Sequence, residues 1–315
     1  MRVAITGAGG RLGRALVAAL EDAPFTGPFG PLAWSRPDYD LDDPSAAVRV
    51  VGRDAPEVVI HAAAWTDVDG CAREPERAMR RNALAVAELA DACADAGADL
   101  VLVSTNEVFD GRRTDGRGYG PGDRPAPGNP YGASKLAGET AAQSAFLRRG
   151  GVLAAVDGAP PAGPQLAIVR TAWLFGPPGN DFPGKILAAA ERARAVGEPL
   201  RVVGDEIGSP TYAPDLADAI VELLAGGAYA GLHHVVNAGA VSRAAWARTI
   251  LAATGLDIAV TEVALAGWAR PSVVPTWAVL APTPLPSGEP LRPWEAALAD
   301  YLPLLLRGRA PVARS

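Results

Sequence analysis

Lysine is almost missing from this chain. Among 315 residues only Lys135 and Lys185 occur, against 27 arginines, and histidine (three) and cysteine (two) are as scarce. Cys71 and Cys93 lie in helix-like sequence without metal-ligand spacing, which excludes a disulfide framework and points to thiols that stay reduced. Without a Cys/His cluster a structural zinc site has no ligands, so no metal is expected. His61, His233 and His234 sit in strand-like sequence and are read as structural. Long apolar runs are absent too. Each is broken by charge or proline, so no segment approaches the roughly 20 residues that span a bilayer. A net charge of −6 argues against nucleic acid or an anionic membrane as partner. MRVAITGAGG enters a strand and a glycine turn at once, unlike a signal peptide, and the expectation is a cytoplasmic protein.

What is present is a rhythm. Short apolar runs at Val3–Thr6, Leu32–Trp34, Val58–Ala62, Leu100–Ser104 and Leu166–Arg170 alternate with helical patterns at 11–21, 44–54, 72–97 and 131–147. The runs are apolar throughout rather than alternating, as when both faces of a parallel sheet are covered. The fold class expected is α/β, a Rossmann-type doubly wound parallel sheet. A smaller C-terminal α/β lobe should carry the substrate. The expected division is 1–172 for the NADP-binding domain, with a returning segment near 213–238, and 173–212 plus 239–315 for the lobe. Gly- and Pro-rich stretches at 111–130 and 282–293 read as loops, and 149–164 as a mobile insertion.

ITGAGGRLGRALVAAL places Gly7, Gly10 and Gly13 between a strand and a helix. The first two glycines let the backbone approach a pyrophosphate, and the third allows close helix–sheet contact. The second strand ends in Trp34, Ser35 and Arg36 without an acidic residue. A carboxylate there would bind the 2′-hydroxyl of NAD. Arg36, with Arg11, instead favours the 2′-phosphate of NADP, unless Arg36 is one more solvated arginine. Asp40 and Leu41 are placed to flank the adenine.

Tyr131-Gly-Ala-Ser-Lys135 opens a helix after the long loop. Residues four apart share a helix face, so a phenol and an ammonium can enter one pocket, where the ammonium would stabilise tyrosinate. In so lysine-poor a chain this spacing arises by chance only about 4% of the time. With Thr105 at a strand tip the three form a reductase set. Tyr131 would donate the proton, Lys135 tune it and hold a ribose, and Thr105 bond the carbonyl oxygen.

Here the chain resembles the extended short-chain dehydrogenase/reductases, and within them the dTDP-4-dehydrorhamnose reductase family. The fragments that carry the likeness run through nearly the whole length: GAGGRLG, HAAAWTDVD, REPERAMRRNA, STNEVFDG, YGASKLAGE, RTAWLFG, GNDF, VVGDEIGSPTY and LRPWEAALADYL. The resemblance implies NADPH-dependent reduction of the C4 ketone of a nucleotide-linked 4-keto-6-deoxyhexose by a monomer or homodimer. It also implies that Leu12 joins the three glycines at the pyrophosphate and that Ala62, Ala63 and Ala64 line the cofactor's centre. Trp173 and Val68 would flank the sugar, and Asn180, Arg270 and the Ser209–Tyr212 turn would meet the nucleotide and diphosphate. Trp173 as a core aromatic and Arg270 as a surface arginine are the plainer readings.

One stretch departs from the pattern. Where the family has Asp and Tyr after the threonine, this chain has Asn106 and Glu107. Thr-Asp-Glu is the triplet of the related 4,6-dehydratases, which need a carboxylic acid to protonate the leaving hydroxyl. Asn106 has no titratable proton, so elimination loses to simple reduction. Glu107 either accepts hydrogen bonds from sugar hydroxyls or forms a salt bridge. Two other readings stand beside the reductase: a non-catalytic NADP-binding regulatory subunit of the same fold, and another sugar-nucleotide epimerase or dehydratase.

Overall fold

A computed structural model describes residues 1–155 and 161–308. Its centre is a six-stranded sheet built from β1 (Val3–Thr6), β2 (Leu32–Trp34), β3 (Val58–His61), β4 (Asp99–Thr105), β5 (Leu166–Thr171) and the strand Gly231–His234. From one edge the order is Gly231–His234, β5, β4, β3, β1, β2, and every pairing is parallel. The chain leaves β1 for β2 on one side and crosses to β3 on the other. That reversal opens a crevice at the strands' carboxyl ends, where such sheets bind ligands.

Both faces of the sheet are covered. Leu12, Leu16 and Leu20 recur every four residues along the helix Arg11–Glu21 and are buried, packing with Leu216, Ile220 and Leu223 on one face. On the other face Val50, Leu89 and Phe146 close over Val59, Leu100 and Ile168. The sheet strands are accordingly apolar on both sides.

The sequence reads as a single helix over 72–97, but the structure divides it. Val68–Arg73 ends at Glu74, whose backbone leaves the helical region before Pro75 starts a short helix to Met79. A π-turn at Arg80–Leu84 then leads into Ala85–Ala96. Asn82 in that π-turn accepts from Trp65 N (2.8 Å) and donates to Trp65 O (3.0 Å) and to Ser134 Oγ (3.1 Å). It ties the loop after β3 to the helix Pro130–Arg148.

Beyond β5 the strands are short. Leu174–Phe175 pairs with Thr211–Tyr212, Leu200–Val203 with Val260–Val263, and Ile207–Gly208 lies between Val241–Ser242 and Trp277–Ala278. They surround an aromatic core of Phe175, Tyr212, Trp246, Trp294 and Tyr301. The 111–130 loop is held down by Tyr119, which stacks on Phe109 at 4.3 Å and bridges Leu280. The 149–164 stretch, expected to be mobile, is tied where it is described. Val152 bridges Gln165 and Ala155 N donates to Ala230 O (2.9 Å); residues 156–160 lie outside the described part. No helix among the described residues is long and apolar enough to cross a membrane.

Candidate active site

The glycine turn forms the floor of a cleft of about 630 Å³. Gly7 has φ +68°, and a Cβ there would lie 2.8 Å from Ala63 Cα, so loop and turn touch backbone to backbone. A Cβ on Gly13 would sit 2.1 Å from Gly7 O. Gly13 therefore seats the helix against the turn rather than lining the cleft. No side chain caps the helix that follows, which leaves its N–H groups and partial positive charge facing the cleft mouth. Gly7, Gly10, Ala62, Ala63 and Ala64 line it together with Ser35, Arg36, Asp40 and Leu41.

Three expectations here change. Arg11, placed beside the 2′-phosphate by the sequence, turns away to Asn180 Oδ1 (2.6 Å), Asp181 Oδ2 (3.2 Å) and the Gly176 carbonyl. Asp181 is buried and attracts the guanidinium across the helix start. Asn180, expected on the substrate, holds Arg11 instead. The Leu12 side chain is buried in the core under the sheet, so only its backbone N–H, in the uncapped first turn of the helix, is left to meet a pyrophosphate.

At the end of β4, Thr105 Oγ1 accepts from Glu107 N (3.2 Å) and donates to Asn106 Oδ1 (3.3 Å), and it lies near enough to the Tyr131 hydroxyl to act on that phenol. The helix Pro130–Arg148 is started by Asn129, whose Oδ1 accepts from Gly132 N (2.8 Å), as an N-cap does. Glycine at 132 is obligatory, since a Cβ would lie 2.0 Å from Glu107 O. That contact presses the helix start onto the turn carrying Thr105 and brings the two hydroxyls together. Lys135, one helical turn on, donates from Nζ to Val103 O (2.8 Å). Val68 and Trp65 pack around Tyr131.

Burial dominates the electrostatics. It pushes the Tyr131 phenol above its ordinary range, aided by the Glu107 charge and opposed by Thr105. The expectation that Lys135 lowers this phenol is corrected: the ammonium is directed to Val103, and burial brings it down to about 8 against the pull of Glu139. Burial raises Glu107 to about 7, with Asn129 opposing, Glu206 adding to the rise, and Arg270 and Arg243 opposing it. His61 falls to about 3 and His234 to about 4, mainly by burial. Both are neutral imidazoles bound within the fold, His61 Nδ1 to Thr6 Oγ1 and His234 Nδ1 to Tyr119 O.

A second cleft of about 490 Å³ lies between Phe182, Lys185, Arg243 and Arg270. The Arg243 guanidinium sits 3.4 Å from the ring centroid of Trp173 and pairs with Glu206 at 3.0 Å. Trp173 has φ +44°, stacks on Trp246 at 5.9 Å and fits only because residue 208 is glycine, where a Cβ would come within 2.4 Å of its ring. Arg270 lines this cleft, paired with Asp69 at 3.1 Å. The Ser209–Tyr212 turn does not reach it, since Ser209 and Thr211 are buried beneath. Sequence reasoning missed Trp65, Arg81, Asn129, Phe182, Glu206 and Arg243. Lys185, as the second of two lysines, carried a signal; Arg243 carried none. Among the described residues no group of side chains is arranged to hold a metal ion.

A family model described as RmlD substrate binding domain matches residues 1–306. The chain is 38% identical over 309 residues to a dTDP-4-dehydrorhamnose reductase of Mycobacterium tuberculosis, covering 96% of this chain and 92% of the relative. It superposes with a TM-score of 0.84 on the crystal structure of a dTDP-4-dehydrorhamnose reductase from Clostridium acetobutylicum, at 30% identity over 97% of this chain and 100% of that one. A Bacillus anthracis dTDP-4-dehydrorhamnose reductase in complex with NADP gives 0.82, at 31% identity over 96% and 99% of the two chains.

Proposed function

This chain belongs to the RmlD substrate binding domain family, that of the dTDP-4-dehydrorhamnose reductases, and on that premise we propose that it reduces dTDP-4-dehydrorhamnose to dTDP-rhamnose with NADPH. The observation that carries the proposal is the meeting of the Thr105 and Tyr131 hydroxyls on the helix that also directs Lys135 back to β4.

The residues present fit NADP. The turn approaches the Ala62–Ala64 loop so closely that only glycine is tolerated, the uncapped helix start can receive a pyrophosphate, and Arg36 and Ser35 line the same cleft. Gly7, Gly10 and the Ala62–Ala64 loop would hold the cofactor, which when bound supplies a hydride to the ketone carbon. Thr105 and Tyr131 bond the carbonyl oxygen and polarise it. The Tyr131 proton then passes to that oxygen as it becomes an alcohol. A phenol whose pKa is raised keeps that proton until negative charge develops on the acceptor. Lys135, its ammonium directed to Val103 O, would hold the ribose. Trp173 and Val68 would flank the sugar, and Arg270 with Arg243 would face the diphosphate.

The same reading takes 1–172 with 213–238 as the cofactor domain, the remainder as the substrate lobe, and a cytoplasmic monomer or homodimer. Mixing the protein with NADPH and dTDP-4-dehydrorhamnose should consume the reduced nicotinamide and give the 4-hydroxy product. Tyr131→Phe should stop turnover while NADPH still binds. NADPH binding by the wild type without turnover would favour the regulatory subunit; tightly retained NAD⁺ would favour an epimerase or dehydratase.

A further inference from the structure

The carboxylates of the second cleft are held by arginine: Glu206 by Arg243 and Asp69 by Arg270. Glu107, in the turn that follows Thr105, is not. Its Oε2 accepts from Asn129 Nδ2 at 2.5 Å, and its Oε1 accepts no hydrogen bond among the described residues. A carboxylate oxygen left open in this way is free to accept from a donor that arrives, and both ends of this segment are fixed. The backbone N of Glu107 donates to Thr105 Oγ1, its carbonyl lies against Gly132, and Asn129 is anchored on Val273 O (2.9 Å) as well as on the helix it caps. The side chain is thus presented two residues from one carbonyl-binding hydroxyl and across from the other.

Resting on the reductase reading, we propose that Glu107, oriented by Asn129, is the specificity-determining residue for the hexose, its open oxygen accepting a hydrogen bond from the C3 hydroxyl next to the C4 ketone. Of the two carbons flanking that ketone in a 4-keto-6-deoxyhexose, only C3 bears a hydroxyl; C5 carries a methyl group and the ring oxygen. An acceptor beside Thr105 and Tyr131 therefore meets a donor on one side only, which also fixes which face of the ketone is presented. The charged groups facing Glu107 are Arg243, Arg270 and Glu206 from the lobe and Tyr131 and Cys71 from the cofactor side. Burial raises this carboxyl to about 7, so the charged acceptor gives way to a weaker neutral one as pH falls below that.

The test compares the parent keto-sugar nucleotide with its 3-deoxy analogue in the wild type, Glu107→Gln and Glu107→Ala. A hydrogen bond to a charged group is worth about 10- to 150-fold. In the wild type kcat/KM should fall by that factor on removing the hydroxyl; in Glu107→Ala the parent should lose that factor relative to the analogue, any effect of the lost charge on Tyr131 falling on both alike. The parent's kcat/KM should decline below about pH 7 in the wild type and stay flat in Glu107→Gln. Equal losses for both substrates in Glu107→Ala, or the same pH profile in Glu107→Gln as in the wild type, would overturn the assignment and leave Glu107 a structural support for Asn129. If the wild type reduces neither substrate, it is the reductase reading that fails.

Discussion

Lys135 should be worth more removed than present as far as stability below pH 8 is concerned. It is 3% exposed, and burial lowers it from an ordinary 10.5 to about 8. At about 1.4 kcal/mol per pH unit, keeping it charged in the folded state costs about 3 kcal/mol. Lys135→Met fills a similar volume without the charge and gives up the bond to Val103 O, worth about 1 kcal/mol. The variant should therefore be about 2 kcal/mol more stable at pH 7. The sign follows from proton counting: between pH 8 and 10.5 the unfolded chain holds a proton here that the folded chain has lost, so wild-type stability rises with pH across that window. The variant lacks this gain, and its advantage should shrink and then reverse as pH approaches 10.5. Urea denaturation of both proteins at several pH values from 7 to 10 reads the difference, other groups cancelling between them. A constant difference would refute the reasoning, because it would mean that the ammonium stays solvated in the fold. Turnover should fall in the variant by about 100-fold or more.

Arg36→Ala should cost NADPH, and not NADH, about 10- to 100-fold in kcat/KM, the worth of charge-assisted bonds to a 2′-phosphate; equal losses with both cofactors would show that the arginine is merely solvated. Gly13→Ala forces a methyl group into the Gly7 carbonyl and should destabilise by about 1–3 kcal/mol while weakening NADPH binding, read by thermal melting with and without the cofactor. Glu139→Ala strips both partners from Arg170, bonded at 2.9 and 2.6 Å with the pair 3–4% exposed. Leaving that guanidinium buried and unpaired should cost about 3–5 kcal/mol by urea denaturation.

The cofactor half of the molecule was legible because its signals are local. A glycine at 7, 10 and 13 acts on the turn that contains it, and apolar runs such as Val58–Ile60 report directly that both faces of the sheet are covered. Tyr131 and Lys135 were legible for the same reason, being one helical turn apart. Arg11 misled because its partners, Asn180 and Asp181, lie about 170 residues away and follow from how the lobe docks on the glycine turn. The break in the 72–97 helix was written in Pro75, but alanine-rich periodicity on both sides hid it. Arg243, Glu206 and the buried Ser209–Tyr212 turn depend on pairings among two-residue strands, which have too little periodicity to read.

Chemistry in this fold depends on a few backbone contacts that set side-chain positions indirectly. The Gly132–Glu107 approach places Tyr131 over Thr105, and the Asn82 clamp sets the cofactor loop at a fixed distance from the same helix. Neither residue need touch a substrate, yet moving either shifts Tyr131 relative to the cleft of the glycine turn. Asn129 joins the two systems, because it caps the Tyr131 helix and also orients the Glu107 carboxyl. A change at Asn129 should therefore disturb the start of the Tyr131 helix and sugar recognition together, whereas a change at Glu107 leaves that helix cap in place and reaches Tyr131 only through its charge. Asn129→Ala should consequently lower kcat with the 3-deoxy analogue as well as with the parent substrate, and Glu107→Ala should cost the parent more than the analogue. Were the two variants indistinguishable on the analogue, the cap would have no influence on Tyr131, and the helix would be held by Gly132 packing alone.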